Sequence, residues 1–243
     1  PGASVFASYS KNLSAPNTDV LYGSLYTGIA PEPETSHSVD VGVRYQTSTV
    51  QAQVTGWYNR YENRLATAYD PIADRTITRN LGGVDKYGFD GSIAWKPSEP
   101  VLFYVFGSYL ESDINDDIQL GEDDFAPTAG KREAGAPKFT LGARTQFDLG
   151  PVEFGAQVKR TGSRYLNDIN TIELPGYTVA DLDARLSLGY FDEDLDKAYF
   201  QLNVMNLFDE VYIGSAPTGL TTSGEFVNIG APRAFTASLV WGF

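Results

Sequence analysis

The last eleven residues restrict the fold more than any other stretch. From Arg233 to the end, Phe235, Ala237, Leu239, Trp241 and Phe243 share one phase of a two-residue period. Ala234, Thr236, Ser238 and Gly242 share the other, and Val240 alone breaks the pattern. Such alternation describes a strand with one apolar and one polar face. A terminal strand is normally loose and wet. An aromatic ending makes sense if the apolar face meets lipid and the strand pairs on both edges to close a barrel.

The same pattern recurs in about ten segments, with essentially no helical periodicity. Val5, Ala7 and Tyr9 alternate first, followed by a polar, Pro- and Gly-containing stretch over residues 14–37. Val39, Val41, Val43 and Tyr45 come next, then Val50, Ala52, Val54 and Tyr58 across the link 47–49. After a turn near Asp70 and Pro71, Tyr87, Phe89, Gly91, Ile93 and Trp95 alternate up to the turn 96–100. Val101 to Leu110 is apolar on both phases, so its faces stay unassigned. The acidic and Gly/Pro-rich residues 111–137 read as one long loop. Beyond them come Phe139 to Phe147, the turn 149–151, Val152 to Val158, a loop at 167–176, and Ala180, Leu182, Ala184, Leu186, Leu188 and Tyr190. A short turn at 192–197 leads to Phe200, Leu202 and Val204, and the loop 214–232 to the last strand.

Connections alternate short and long without exception, as periplasmic turns and extracellular loops do in outer-membrane barrels. Strands running toward the short turns carry Tyr45, Trp95, Phe147, Tyr190 and Trp241 near that end. Strands running away carry Tyr9, Tyr58, Tyr109 and Tyr212 near the other. Two aromatic rings around an aliphatic band form a membrane girdle. Leu186 and Leu239 are expected to point outward at mid-membrane. A soluble sandwich or lipocalin-like barrel also alternates, but nothing in it sorts loops by side or gathers aromatics at strand ends. The fold expected is an all-β, antiparallel up-and-down transmembrane barrel.

The polar phase is heavily charged, with Asp40, Arg44, Lys86, Asp90, Arg144, Asp183 and Arg185 among its members. A narrow barrel tolerates such a lumen only as a satisfied network, whereas a wide one sets it against water or a plug. The ten strands are therefore expected not to close by themselves. Residues 3–10 should pair with 39–46 on one edge only, and 235–243 should not reach residues 3–10. A net charge of −13 and no basic stripe exclude a nucleic-acid binder. No cysteine is present for a disulfide, a thiolate metal site or a thiol nucleophile. No apolar run reaches the ~18 residues of a spanning helix. The chain opens on Pro1, which suggests a processed product or a piece of something longer.

Several stretches resemble TonB-dependent outer-membrane receptors. They are Asn206-Leu207-Phe208-Asp209-Glu210 with Tyr212, then Gly230, Pro232, Arg233 and Phe235, and the terminal Phe243. Upstream, Phe6 to Lys11 with Ala15-Pro16-Asn17, Leu21-Tyr22-Gly23, Pro33 to Ser36 and Val41 to Tyr45 are similar to the same family. So are Asn80-Leu81-Gly82 with Gly88, and Gly130-Lys131-Arg132 with Ala136-Pro137. The resemblance implies a 22-stranded barrel around an N-terminal plug, of which residues 1–243 would be the C-terminal ten strands. It implies active transport of a scarce, large solute such as a ferric siderophore, with wall and extracellular loops supplied here. Implied partners are outer-membrane lipid and lipopolysaccharide, the remaining strands and plug, and the TonB complex acting through the N-terminal part. The barrel-assembly machinery would read Phe235, Leu239, Trp241 and Phe243 as its signal. No cofactor is implied.

Other functions were weighed against this one. A complete small barrel would be a passive pore or an omptin-like protease, which needs a histidine with paired carboxylates. His37, near Glu34 and Asp40, is the one histidine, and a lone loop histidine is more often solvated. No Gly-x-Ser-x-Gly elbow occurs. Residues 113–124 have the oxygen donors of a calcium loop but place Ile118 where the EF-hand turn requires glycine. They read as a solvated loop, a weak calcium site, or a patch for a cationic ligand. Tyr22, Tyr26, Tyr61, Tyr69 and Tyr165, with Asp116 and Asp117, are the candidate ligand contacts, although loop tyrosines equally serve to pack loops.

Overall fold

The computed structural model describes residues 2–15, 33–70, 75–119, 125–220 and 226–241, without side chains for 66–70, 75–80 and 119. Ten antiparallel strands form one sheet in chain order. They are β1 (Gly2–Ser14), β2 (Glu34–Gln46), β3 (Val50–Glu62), β4 (Val84–Ser98) and β5 (Val101–Ile114), then β6 (Phe139–Asp148), β7 (Val152–Thr161), β8 (Tyr177–Ser187), β9 (Tyr199–Met205) and β10 (Ala234–Val240). Every neighbour is the next strand in sequence, the up-and-down meander that hairpin connections produce. Among the described residues no ladder joins β1 to β10, and β1 pairs only with β2, from Gly2 opposite Gln46 to Ser14 opposite Glu34.

The register carries one face across the whole sheet. Val5 stands opposite Val43, Val43 opposite Val54, Val54 opposite Gly91 and Gly91 opposite Gly107. The row continues through Leu141 and Arg160. Since directly opposed residues point the same way, the apolar phase of every strand lies on one surface. That surface is not buried: Val5 is 75% exposed, Phe235 72% and Leu239 62%. A soluble sandwich would bury this phase, so the exposure decides against that fold.

Val101 to Leu110 now has its faces. Phe103, Val105, Gly107 and Tyr109 lie opposite Trp95, Ile93, Gly91 and Phe89, on the outward surface. Tyr104 and Phe106 point inward and stack at 5.7 Å. Their aromatic character hid the polar phase. Phe106 lies over Gly142, directly opposite it, just as Phe6 lies over Gly42. A Cβ at either glycine would collide with the ring, so these two inward rings each require the glycine opposite.

Other expectations need correction. β8 ends at Ser187, and Leu188–Tyr190 form a 3-10 turn, so Tyr190 leaves the strand and sits edge-on to Phe191. A second 3-10 turn follows at Glu193–Leu195, capped by the Asp192 carboxylate, which accepts from the Asp194 N–H at 3.0 Å. Leu186 faces outward in a row with Val152 and Phe200, but one residue from the end of β8; the strand midpoint is Leu182. Tyr212 lies outside the ten strands, in the β9–β10 connection, stacked on Tyr177 at 4.1 Å. Residues 111–114 belong to β5 rather than to the following loop. Trp241 follows the end of β10, and Phe243 falls outside the described residues.

Short turns close on local contacts. The Thr47 hydroxyl accepts from Val50 N–H at 2.9 Å, Lys96 pairs with Glu99 at 2.7 Å, and Asp148 accepts from Gly150 N–H at 3.0 Å. Gly150 adopts φ +87°, the left-handed region open to glycine. At the opposite end the long connections carry their own paired segments: 65–70 with 75–80, 118–119 with 125–126, 164–165 with 173–174, and 213–215 with 228–229.

Candidate functional site

The apolar core lies in the long-loop rim. Leu81, Val84, Ile114, Ile118, Ala126 and Leu220 are buried against one another, with Tyr61 and Ile169 packed on them. These residues come from the ends of β3, β4 and β5 and from the β3–β4, β5–β6, β7–β8 and β9–β10 connections. Four connections thus share one interior.

Polar side chains bind the connections further. Asn167, fully buried, accepts from the Thr171 and Ile172 N–H groups and donates to the Thr171 hydroxyl at 2.7 Å. Beside it, Asp168 accepts from Ala134 N–H at 2.8 Å, and Asn170 exchanges two bonds of 2.8 Å with the backbone of Arg132. Those three bonds join the β7–β8 and β5–β6 connections. Arg164 donates to the carbonyls of Ile213 and Gly214 at 3.0 and 3.2 Å, which brings in the β9–β10 connection. Asn206 seals the foot of that last connection, donating to the Glu210 and Ala231 carbonyls and accepting from Glu210 N–H, all at 2.9 Å. With Asp209 accepting from Arg233 N–H, the Asn206–Glu210 run is a structural clasp.

An ion-pair chain crosses the rim on the inner side. Arg64 pairs with Glu34 at 3.0 Å and with Glu133 at 3.2 Å, and Lys86 also meets Glu133. Tyr61 lies beneath them, 4.7 Å from the Arg64 guanidinium and 5.2 Å from the Lys86 ammonium. Burial pulls the Arg64 pKa down, but Glu133 and Glu34 outweigh it and leave the group more firmly charged than a free arginine. A second group joins Glu111, Arg132 and Lys138. The hydrogen bond from Lys138 to Glu111 raises the Lys138 pKa.

Below the rim, the inward face of the wall is a polar lining. Arg144 makes a two-pronged contact with Asp183 at 2.8 and 3.1 Å. Arg44 donates to Gln53 at 2.9 Å, Trp57 to Asp90 at 2.8 Å, and Ser8 to Asp40 at 2.9 Å. Arg185 lies 3.8 Å over the Tyr199 ring. Many of its charges are therefore paired within the sheet.

The candidate ligand contacts are dispersed. Tyr61 joins the rim core and its ion pairs. Tyr165 pairs with Glu173, and its carbonyl accepts from Gly135 N–H at 2.9 Å. Asp117 accepts from Ala129 N–H at 2.9 Å and the Asp116 carbonyl from the Thr128 hydroxyl at 2.8 Å, so both hold their own loop. Tyr69 pairs through its backbone with Thr76, and Tyr22 and Tyr26 fall outside the described residues. Of the proposed girdle residues, Tyr9, Tyr45, Tyr58, Trp95, Tyr109 and Phe147 stand on the outward face. Trp95 stacks on Phe103 at 5.6 Å and Phe89 on Tyr109 at 5.4 Å. Sequence reasoning missed Arg64, Glu133 and Asn167 altogether. Among the described residues no group of three or more His, Cys, Asp or Glu side chains is placed to hold a metal.

An antiparallel meander, apolar outside and polar inside, with short turns at one end and a structured rim at the other, is the wall of an outer-membrane β-barrel. The family model "TonB dependent receptor-like, beta-barrel" matches residues 1–207, and the chain belongs to that family, one of transport receptors rather than enzymes. The ferrioxamine receptor of Yersinia enterocolitica is 26% identical over 217 residues, an overlap covering 87% of this chain and 28% of that receptor. The chain thus spans under a third of that relative. Among solved structures, the ferric yersiniabactin uptake receptor FyuA of Yersinia pestis superposes with a TM-score of 0.70 at 16% identity, over 97% of this chain and 34% of that one. The copper transporter OprC gives 0.74 at 15% identity, over 99% and 38%. At such identities the structural likeness concerns the fold.

Proposed function

We propose that this chain forms wall and extracellular rim of a TonB-dependent receptor that takes up an iron chelate across the outer membrane. The observation that supports the reading best is the rim, where four connections share one core and one ion-pair chain over the mouth of a polar-lined wall. A passive pore needs no such consolidated mouth. Similarity to the ferrioxamine receptor favours a ferrioxamine-like iron chelate as cargo; OprC, a copper transporter, cautions that fold alone does not choose it. The ten strands act as part of a larger barrel, consistent with β1 and β10 each having one neighbouring strand among the described residues. A plug and a TonB-contacting segment in the same receptor supply coupling to the inner membrane. The outward aromatics, with Tyr190 and Trp241 at the short-turn end, form the girdle in lipid and lipopolysaccharide. The β10 region with Phe243 is the signal read by the barrel-assembly machinery.

The test is uptake of radiolabelled ferrioxamine by cells expressing the gene that encodes this chain, with and without TonB. Accumulation that requires TonB is expected. Uptake at the same rate without TonB would point to a passive pore and defeat the proposal.

A further inference from the structure

The outward surface of β1 to β5 carries two features that transport through the lumen does not use. The first is a row of charges on the rim side of the aromatic level. Two residues beyond Tyr9, Tyr58 and Tyr87, Lys11 stands opposite His37, His37 opposite Arg60, Arg60 opposite Asp85 and Asp85 opposite Asp113. The row is basic on β1 to β3 and acidic on β4 and β5. Lys11, Arg60 and Asp113 are exposed, and none of them has an ion-pair partner among the described residues. Asp85 accepts from the Tyr58 hydroxyl and from the Asn115 amide at 3.1 Å. Those two bonds leave about half of a carboxylate's acceptor positions open.

The second feature lies below the charges, on the apolar band. Gly56 on β3 and Gly91 on β4 point outward, Gly56 opposite Val41 and Phe89, and Gly91 opposite Val54. Elsewhere in the wall a glycine answers to its own sheet, since a Cβ at Gly42, Gly88 or Gly142 would come within 2.3 Å of another atom. At Gly56 the nearest atom to such a Cβ would be 4.0 Å away, and at Gly91 3.7 Å. Neither residue has a positive φ, and neither sits at a bulge. Glycine weakens a strand interior, and where no bend or bulge demands it, it marks the close approach of another backbone. In lipid, small residues let two protein surfaces approach, because tight packing rather than water drives association there.

Both features centre on the β3–β4 boundary. Two copies in one membrane share their orientation, so a two-fold axis between them runs along the membrane normal. Such an axis sets the left side of one outward face against the right side of the other, and the contact is isologous. Placed between β3 and β4, it brings Arg60 of one copy to Asp85 of the second, and each basic flank to the opposite acidic flank. The glycines then meet four to six residues down the strands, about 13–20 Å below the charges. A lipid phosphate would use only the basic half of the row and be repelled by the acidic half. A second copy uses both.

We propose that this surface is a homodimer interface, in which two copies of the receptor pack β3 and β4 against each other. Gly56 and Gly91 lie at the contact, and Lys11 and Arg60 face Asp85 and Asp113 across the axis. The interface rests on the wall lying in the outer membrane, and not on the identity of the solute. Exposed ion pairs are individually weak. The charges therefore select the partner and its register, while the glycine contact supplies the packing.

The intact receptor would be co-expressed with two different tags and extracted with its surrounding membrane in polymer discs. The share of one tag captured through the other is then measured. Wild type should exceed a mixture of separately expressed discs. Lys11→Glu with Arg60→Glu leaves only acidic charges in the row and should lower capture about tenfold, the equivalent of ~1.4 kcal/mol. Asp85→Lys with Asp113→Lys leaves only basic ones and should do the same. Co-expressing these two variants should restore capture, because each row then meets its opposite. Asp113→Lys alone, which breaks no bond among the described residues, should give a smaller loss. Gly56→Leu should lose capture while still assembling, as heat-shifted mobility on a gel would show. No wild-type capture above the mixture, an unchanged level in both charge variants, or no rescue on co-expression would overturn the interface. Loss in the Lys11→Glu, Arg60→Glu variant alone would mean that lipid headgroups bridge the copies, and would overturn it equally. Chelate uptake is scored on the same cells: transport without capture defeats the interface alone, and capture without transport defeats only the transport reading.

Discussion

The wall and the rim of this molecule are built on opposite plans. In the wall, large apolar side chains such as Val5, Val54 and Leu202 face outward and largely exposed, and the inward face is polar. In the rim, Leu81, Val84 and Ile114 are at most 1% exposed and charged groups surround them. The wall is held by ladders between strands adjacent in sequence, and its apolar side is complete only when lipid supplies the missing neighbour. The rim carries its own core, as a small soluble domain does. One chain therefore answers to two solvents, and the same substitution should have opposite consequences in the two regions.

The largest effect belongs to the lipid face. Leu182→Arg at the midpoint of β8 should cost ~2–4 kcal/mol and reduce insertion, with Leu186→Arg nearer the turn costing ~0–1 kcal/mol. Gln157→Arg, facing inward one register step away and opposite Asp181, should be tolerated. Urea titration of the receptor folded into liposomes measures all three. Equal costs for Leu182→Arg and Gln157→Arg would erase the distinction between the faces.

In the rim, Leu81→Ala should cost ~2–5 kcal/mol through the cavity it leaves. The damage should remain local. Hydrogen exchange should quicken at the amides of Arg64, Asn115 and Asp168, which bond Gly82, Gly83 and the 219–220 carbonyls, and not in the β6–β7 ladder. Exchange spreading through the wall would show that the two regions share one core.

Charge in the rim gives a smaller step. Arg64→Met leaves Glu34 and Glu133 without their guanidinium and should cost about 1–3 kcal/mol. Adding Glu133→Gln should recover part of it, since the two residues are in contact and their effects do not add. Two independent, additive losses would mean that the ion-pair chain is not a unit. At the other end, Glu99 is almost fully exposed, and Glu99→Gln should change stability by less than ~1 kcal/mol.

The same division explains what could be read in the sequence. Alternation is a local property, so Val39 to Tyr45, Tyr87 to Trp95 and Phe139 to Phe147 revealed their faces without structure. It failed at Val101 to Leu110, where Tyr104 and Phe106 are aromatic yet point inward, Phe106 lying over Gly142 on the next strand. It failed again at Tyr190, because alternation continues past Ser187 although the backbone has already turned. The rim was illegible for another reason. Arg64 and Glu133 are 69 residues apart, and Arg164 and Gly214 are 50 apart, so no window along the chain contains the pair. Tyr61 and Asp117, expected as ligand contacts, also pack the rim core and hold a loop, contacts between segments distant in sequence that no local pattern announces.

The central claim is that lipid covers one face of the sheet and not the other, and the three tryptophans allow a direct reading. Trp95 stands outward beside Phe103, whereas Trp57 points inward and donates to Asp90 at 2.8 Å. Variants of the receptor retaining only one of these two, with every other tryptophan replaced by Phe, would be folded into bilayers containing brominated acyl chains. Bromine should quench Trp95 strongly and leave Trp57 bright. Quenching of Trp57, or of neither, would contradict the assignment of the two faces.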